Sequence, residues 1–279
     1  MTPPDHRFGS IGIFDSGFGG LTVMRAIRAL MPFENIIYFG DTARLPYGGK
    51  SSETILRYSL ENASFLKTQG IKILVIACNT SCSAALDQVR SSSEIPVIGI
   101  TEQGVQEVVR LFETGKVAIL GTRATITSCV FQRQILSRCS TLELYPISCP
   151  LFVPLVEEGY VEHPMSSLIV QEYLRPLKNR EIHGVLLGCT HYPLLQSIIQ
   201  SELGPEILLI DPSIACAEKT RAVLAEKGLL NSSTDLPHYQ FFVSDDPEKF
   251  RLLGKTFLNY PIEHVQQILV EHSKPLVIA

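Results

Sequence analysis

Cys78 and Cys189 close two stretches of nearly the same design. One reads Ile73-Leu74-Val75-Ile76-Ala77-Cys78-Asn79-Thr80, and the other reads Gly184-Val185-Leu186-Leu187-Gly188-Cys189-Thr190-His191. Each is an apolar run that ends on a cysteine and continues into small polar residues. A thiolate is a competent base and a thiol a competent acid near neutral pH. Two of them in matched settings suit a reaction that takes a proton from one face of a carbon and returns one to the other. The plainer role for each is that of a small buried hydrophobe. The repetition weighs against that role, because both sulfurs stand at the exit of a strand, where packing does not call for sulfur. A cysteine between a strand end and the first turn of a helix also meets unpaired N–H groups and the positive end of the helix dipole. A thiolate is therefore the expected form at both positions.

Other residues carry weaker signals. His191 follows Cys189 by two positions and can tune or re-protonate its thiol; a surface histidine at a helix start is the alternative. Asp15 opens a glycine-rich turn, Asp15-Ser16-Gly17-Phe18-Gly19-Gly20. The turn is not the dinucleotide fingerprint, and the chain has no phosphate-binding Walker sequence. An acid there repels phosphate but suits an ammonium group or a thiol in need of a base; its plainer role is a helix cap. Thr80, Thr122 and Thr190 fit helix starts, where hydroxyls and free N–H groups can cradle a carboxylate. Pro46-Tyr47-Gly48 reads as a turn, and Glu157-Glu158 reads as a solvated loop pair. Cys189 with His191 gives two zinc ligands where about four are needed, so no metal site is expected. C-x-x-C is absent, which argues against thiol redox work.

The elements that must position these groups alternate strand and helix. Ile11–Phe14, Asn35–Phe39, Lys72–Ala77 and Pro96–Ile100 read as strands, with helices after Gly20 and after a Ser51 or Ser52 cap. Leu21, Met24, Ile27 and Leu30 mark one face of the first helix. The cycle restarts with a strand at Lys116–Leu120, a helix over Thr125–Ser137 and a strand at Leu142–Ile147. A loop marked by Pro150, Pro154 and Gly159 leads to a helix over Met165–Lys178 and the strand Gly184–Leu187. A last segment holds the strand Glu206–Ile210, the helix Ile214–Ala225, the strand Tyr239–Val243 and a helix from Pro247. Asp15 precedes Cys78 by 63 positions and Thr122 precedes Cys189 by 67, so the chain reads as a diverged internal repeat. Near-continuous apolar strands alternating with helices imply parallel sheets with ligands at the strands' carboxyl ends. Asp15, Asp41, Cys78, Thr122 and Cys189 all fall at such ends.

Bulk properties narrow the class. The chain has 279 residues with a formal net charge of −4, so no basic field suggests nucleic acid. No apolar run approaches the roughly 20 residues of a membrane span. Met1–Ser10 lacks the apolar core of a signal peptide, and the seven cysteines are an odd, scattered set. A cytoplasmic protein with reduced thiols is expected.

In register along the chain, Gly12-Ile13-Phe14-Asp15-Ser16-Gly17, Gly40-Asp41-Thr42-Ala43-Arg44-Leu45-Pro46-Tyr47-Gly48, Ala77-Cys78-Asn79-Thr80, Phe152-Val153-Pro154-Leu155-Val156-Glu157-Glu158-Gly159 and Gly188-Cys189-Thr190-His191-Tyr192-Pro193 resemble the glutamate racemase family of the aspartate/glutamate racemase superfamily. The resemblance runs from about Ile11 to the region of Phe250. It implies two pseudo-symmetric α/β lobes, each a mainly parallel sheet flanked by helices, with the active site between them. Residues 1–99 and 210–279 would form the first lobe and 100–209 the second. It implies cofactor-independent interconversion of L- and D-glutamate, supplying D-glutamate for peptidoglycan, in a cytoplasmic homodimer. Cys78 and Cys189 would be the two bases, assisted by Asp15 and His191, with Glu157 near the second. Ser16, Pro46, Tyr47, Gly48, Asn79, Thr80, Thr122, Thr125 and Thr190 would bind substrate. Phe131 stands where the family often has Tyr. The competing readings are the same chemistry on aspartate, a superfamily decarboxylase or isomerase, and a binding protein without turnover.

Overall fold

The computed structural model describes residues 6–269. The first five residues of the Met1–Ser10 segment, and the last ten of the first-lobe range 210–279, lie outside them.

The expected alternation is present. β1 (Ile11–Asp15), α1 (Leu21–Leu30), β2 (Ile36–Gly40), α2 (Ser52–Thr68), β3 (Ile73–Ile76), α3 (Asn79–Ser91) and β4 (Val97–Gly99) form the first run. α4 (Ile100–Leu111) leads to β5 (Gly115–Gly121), α5 (Arg123–Thr127), α6 (Val130–Leu136), β6 (Leu142–Ser148), α7 (Phe152–Glu157) and α8 (Pro164–Leu174). β7 (Gly184–Gly188), α9 (Gln196–Leu203), β8 (Leu208–Ile210) and α10 (Ser213–Glu226) follow, then β9 (Tyr239–Val243), α11 (Pro247–Leu258) and β10 (Gln266–Gln267).

The strands build two wholly parallel sheets, ordered β10-β9-β2-β1-β3-β4 and β6-β5-β7-β8. The order β2-β1-β3-β4 in the first matches β6-β5-β7-β8 in the second. Asp15 therefore ends β1 and Thr122 directly follows β5, its central counterpart, while Cys78 and Cys189 follow equivalent neighbours. The chain returns to the first sheet through β9, which pairs with β2. We assign 1–99 with 210–279 to one lobe and 100–209 to the other as a proposal based on this strand membership.

Burial explains the strand composition. Every residue of β1, β2, β3 and β7 is buried, as expected for strands covered on both faces. One apolar cluster runs through the first sheet and onto the α7–α8 side of the second; another, around Val117, Ile119, Phe131 and Leu186, fills the second sheet's other face. Phe131 is wholly buried, so the ring there packs and meets no solvent. Pro146 lies in β6, an edge strand, where a missing N–H costs no ladder bond on the open side.

Three local expectations are corrected. The single helix over Thr125–Ser137 is two, α5 and α6, separated at Cys129 with φ of 53°. Ser128 Oγ accepts the Val130 N–H at 3.3 Å there, a side-chain bond that competes with helix continuation. The loop through Pro154 contains α7, because Pro154 is its third residue, where the N–H would have no partner within the helix anyway. Ile100 begins α4 and does not end a strand.

The C-terminal segment is anchored by aromatic packing. Phe250 of α11 lies 5.6 Å from Phe18 and 5.7 Å from Tyr38 between ring centroids. Truncating it leaves a large cavity beneath α11, at a cost of about 3–5 kcal/mol. Phe250→Ala should lower the urea midpoint accordingly, and an unchanged midpoint would remove α11 from the folded core.

Candidate active site

The carboxyl ends of the two sheets enclose a cavity of about 160 Å³. Both sulfurs border it. From the first lobe come Cys78, Ser16, Pro46, Tyr47, Gly48, Asn79 and Thr80; from the second come Cys189, Thr122, Glu157, Thr190 and His191. Asp15 and Thr125, also expected in the site, are buried behind the lining.

The two halves meet through hydroxyls. Thr80 Oγ1 is 2.9 Å from Thr122 Oγ1, and Thr125 Oγ1 lies 3.3 Å and 3.0 Å from these two, closing a triangle across the lobes. Thr122 also accepts the Thr125 N–H as the cap of α5. Thr190 Oγ1 donates to Asp15 Oδ2 at 3.4 Å, and Thr22 Oγ1 donates to the Thr190 carbonyl at 3.4 Å. The glycine-rich turn is explained by this crowding. A Cβ on Gly19 would fall 2.2 Å from Thr190 Oγ1 and 2.5 Å from His191 Nδ1, so only glycine fits.

Tyr47 is not part of a plain surface turn. Its hydroxyl bonds to buried Asp41, which also accepts from Arg44 Nε at 2.7 Å and Ser244 Oγ at 2.8 Å. Asn62 Nδ2 donates to Tyr47 OH at 3.1 Å, and Arg44 further binds Glu61 and Asn62. This network fixes the Pro46–Gly48 segment over the cavity. Tyr47 is only 1% exposed as a result.

The two thiols differ electrostatically. Cys78 is the N-cap of α3, and its Sγ accepts the Ser81 N–H at 3.4 Å and reaches Ser16 Oγ at 3.7 Å. The expected thiolate is nevertheless disfavoured. Burial, and then the nearby charge of Asp15, push the thiol up to about 12 and outweigh the helix-start N–H groups. Asp15 is itself raised by burial, although His191 and the Gly17 and Gly20 N–H groups pull it down. Asp15 therefore acts on Cys78 through charge, while its hydrogen bonds go to the Gly17 N–H and Thr190.

Cys189 does not stand at an α-helix start. A 3-10 turn over Tyr192–Leu195 intervenes, and α9 begins only at Gln196. Its partner is a side chain. His191 Nδ1 lies 3.9 Å from Cys189 Sγ, and Nε2 lies 2.9 Å from Glu157 Oε1. Glu157 is therefore no solvated loop residue: it ends α7 and is 8% exposed. Burial alone would lower the His191 pKa, but hydrogen bonds to Cys189 and Glu157, and their negative charge, outweigh it and hold the ring at about 10. The imidazolium then donates toward sulfur on one side and carboxylate on the other.

Two features were not anticipated. Asn79 Oδ1 accepts from Thr101 Oγ1 at 3.2 Å, which leaves the buried Asn79 Nδ2 without a partner on the cavity wall. Arg123 also lines the cavity. Its place directly after Thr122 was the only sign in the sequence. Among the described residues no cluster of three His, Cys, Asp or Glu side chains could hold a metal, and no helix is long and apolar enough to cross a membrane.

Two parallel α/β units with matched strand-end thiols facing one cavity define a racemase-type scaffold. The chain belongs to the Asp/Glu/Hydantoin racemase family, which matches residues 12–220. Within it the chain is similar to glutamate racemases. It is 46% identical to the glutamate racemase of Chlorobaculum tepidum, over 95% of this chain and 99% of that protein. The crystal structure of Francisella tularensis glutamate racemase in complex with D-glutamate is 38% identical, with a TM-score of 0.90 over 95% of this chain and 99% of that one. The Escherichia coli enzyme in complex with L-glutamate and the activator UDP-MurNAc-Ala is 26% identical, with a TM-score of 0.78 over 94% and 98%.

The raised His191 pKa fixes a stability trend. A group protonated more readily when folded stabilises fully below its unfolded pKa, here 6.5, and loses that contribution as pH rises through the folded value of about 10. The gap in melting temperature between the protein and His191→Asn should be widest below pH 6.5 and shrink toward pH 10. A gap that widens over this range would mean that His191 is buried neutral.

Proposed function

We propose that this chain interconverts L- and D-glutamate by a two-base mechanism, with Cys78 and Cys189 as the bases on opposite faces of the substrate. The observation that carries the reading is that matched thiols, at equivalent places in a repeated topology, border a single cavity. The similar enzymes in complex with D-glutamate and with L-glutamate support the choice of substrate.

One sulfur, as thiolate, accepts the α-proton, and the Cα–H electron pair delocalises into the α-carboxylate as an enediolate. The opposite thiol then protonates Cα from the other face and becomes the thiolate. The second thiol is thus left where the next turnover in reverse begins. Proton transfer of this kind contributes about 10²–10⁴-fold each.

The two sides prepare their sulfurs differently. Cys78 is held as the thiol by burial and by Asp15, so it is poised to donate. For it to act as base, its proton must leave, and Asp15, whose own carboxyl is raised by burial, is the nearby group suited to share it. On the other side the His191 imidazolium stabilises negative charge on Cys189 once its proton is gone, and Glu157 holds the ring in place.

The developing enediolate needs donors that are already oriented. The unpaired Nδ2 of Asn79, the Thr80 hydroxyl and the free N–H groups at the start of α3 serve that need. Each such donor contributes on the order of 3 kcal/mol to the transition state. The cavity walls are largely buried, which strengthens these terms. Asp15 and Thr125 act as positioning residues through Thr190 and through Thr80 and Thr122. The product D-glutamate is supplied for peptidoglycan synthesis by a cytoplasmic homodimer in this reading.

In heavy water, the protein should place deuterium on Cα of either glutamate enantiomer. Cys78→Ser and Cys189→Ser should each slow racemisation by about 10²–10⁴-fold, while Cys129→Ser, at an exposed site, leaves it intact. Normal racemisation by both cysteine variants would refute the mechanism, and tight glutamate binding without α-exchange would favour a binding protein.

A further inference from the structure

We infer that Arg123 selects for an acidic side chain, drawing a dicarboxylate to the rim of the cavity and holding its distal carboxylate there. This rests on the glutamate reading above and adds the residue that sets the preference.

Of the charged side chains on the lining, Arg123 is the one without an ion-pair partner among the described residues. His191 and Glu157 are paired at 2.9 Å, and their charges offset. Asp15 lies behind the wall and Cys78 is held as a thiol. Besides His191, Arg123 is the one basic side chain on the lining. It makes no ion pair among the described residues, unlike Arg44, whose guanidinium is committed to Asp41, Glu61 and Asn62. A substrate with two carboxylates and one ammonium carries a net negative charge, which this lone cation complements.

The backbone beneath Arg123 is fixed while its side chain is free. It is the first residue of α5, directly after Thr122, which caps that helix and joins the hydroxyl triangle with Thr80 and Thr125. Its side chain is exposed, as a residue receiving a ligand from solvent must be. Pro150, Val153 and Pro154 supply the apolar remainder of the second-lobe lining and offer a carboxylate nothing. A guanidinium presents a planar fork that matches a carboxylate, and at an exposed rim its pull depends on ionic strength.

The test compares the protein with Arg123→Gln and Arg123→Lys, measuring glutamate racemisation against added salt. Arg123→Gln should raise KM about two- to fivefold, as expected for one solvent-screened charge contact, with the loss falling on KM rather than kcat. It should also flatten the decline of kcat/KM with salt. Arg123→Lys should restore the salt dependence and most of the KM. Arg123→Gln with unchanged KM and unchanged salt dependence overturns the inference. So does a defect that Arg123→Lys fails to repair while the salt dependence persists, because that is a structural role. If the unaltered protein racemises no glutamate, the reading of the function falls, and this inference falls with it; if it does racemise glutamate and Arg123→Gln is indistinguishable from it, this inference alone is wrong.

Discussion

The site is governed by the burial of ionisable groups at the junction of two parallel sheets. Asp15, Cys78, Cys189, Glu157 and His191 are all withdrawn from water. Burial penalises isolated charge, so neighbours weigh heavily on the protonation of Asp15, Cys78 and His191. Neutrality suits Cys78, with anionic Asp15 near it. Charge suits His191, flanked by Cys189 and Glu157. Two chemically identical side chains thus acquire different resting environments, although the topology around them is repeated.

That asymmetry has a simple structural source. After β3 the chain enters α3 at once, and Cys78 becomes its N-cap. After β7 the chain makes a 3-10 turn containing Pro193, with His191 as the residue that precedes it. The first lobe therefore offers its thiol backbone N–H groups, and the second offers a ring nitrogen. The glycine-rich turn after β1 completes the arrangement. The bare Cα of Gly19 lets Thr190 and His191 approach from the opposite lobe.

Much of this was legible in the chain. The alternation of apolar strands and amphipathic helices follows from short-range periodicity, and it yielded the strands carrying Cys78 and Cys189. The repeat was visible as two similar spacings. Other features were hidden. Glu157 looked like a loop residue because Pro154 disguised a short helix whose third position tolerates proline. The thiolate expected at Cys78 rested on a helix-start argument that is local, whereas burial is a property of the whole fold. Arg123 gave no periodic or motif signal, since its meaning depends on which carboxylates lie within reach. Asn79 was legible as a strand-end residue, but its spare donor was not, because that required knowing that Thr101 uses only the amide oxygen.

The sequence by itself determined the order of strands and helices, the doubled pattern and the two matched cysteines, because each of these is written in neighbours a few positions apart. Only the tertiary structure decided that both sulfurs border one cavity, which groups are charged there, and which donors are left free. Those outcomes depend on residues separated by more than a hundred positions, as Asp15 and Thr190 are, and on burial where two sheets meet.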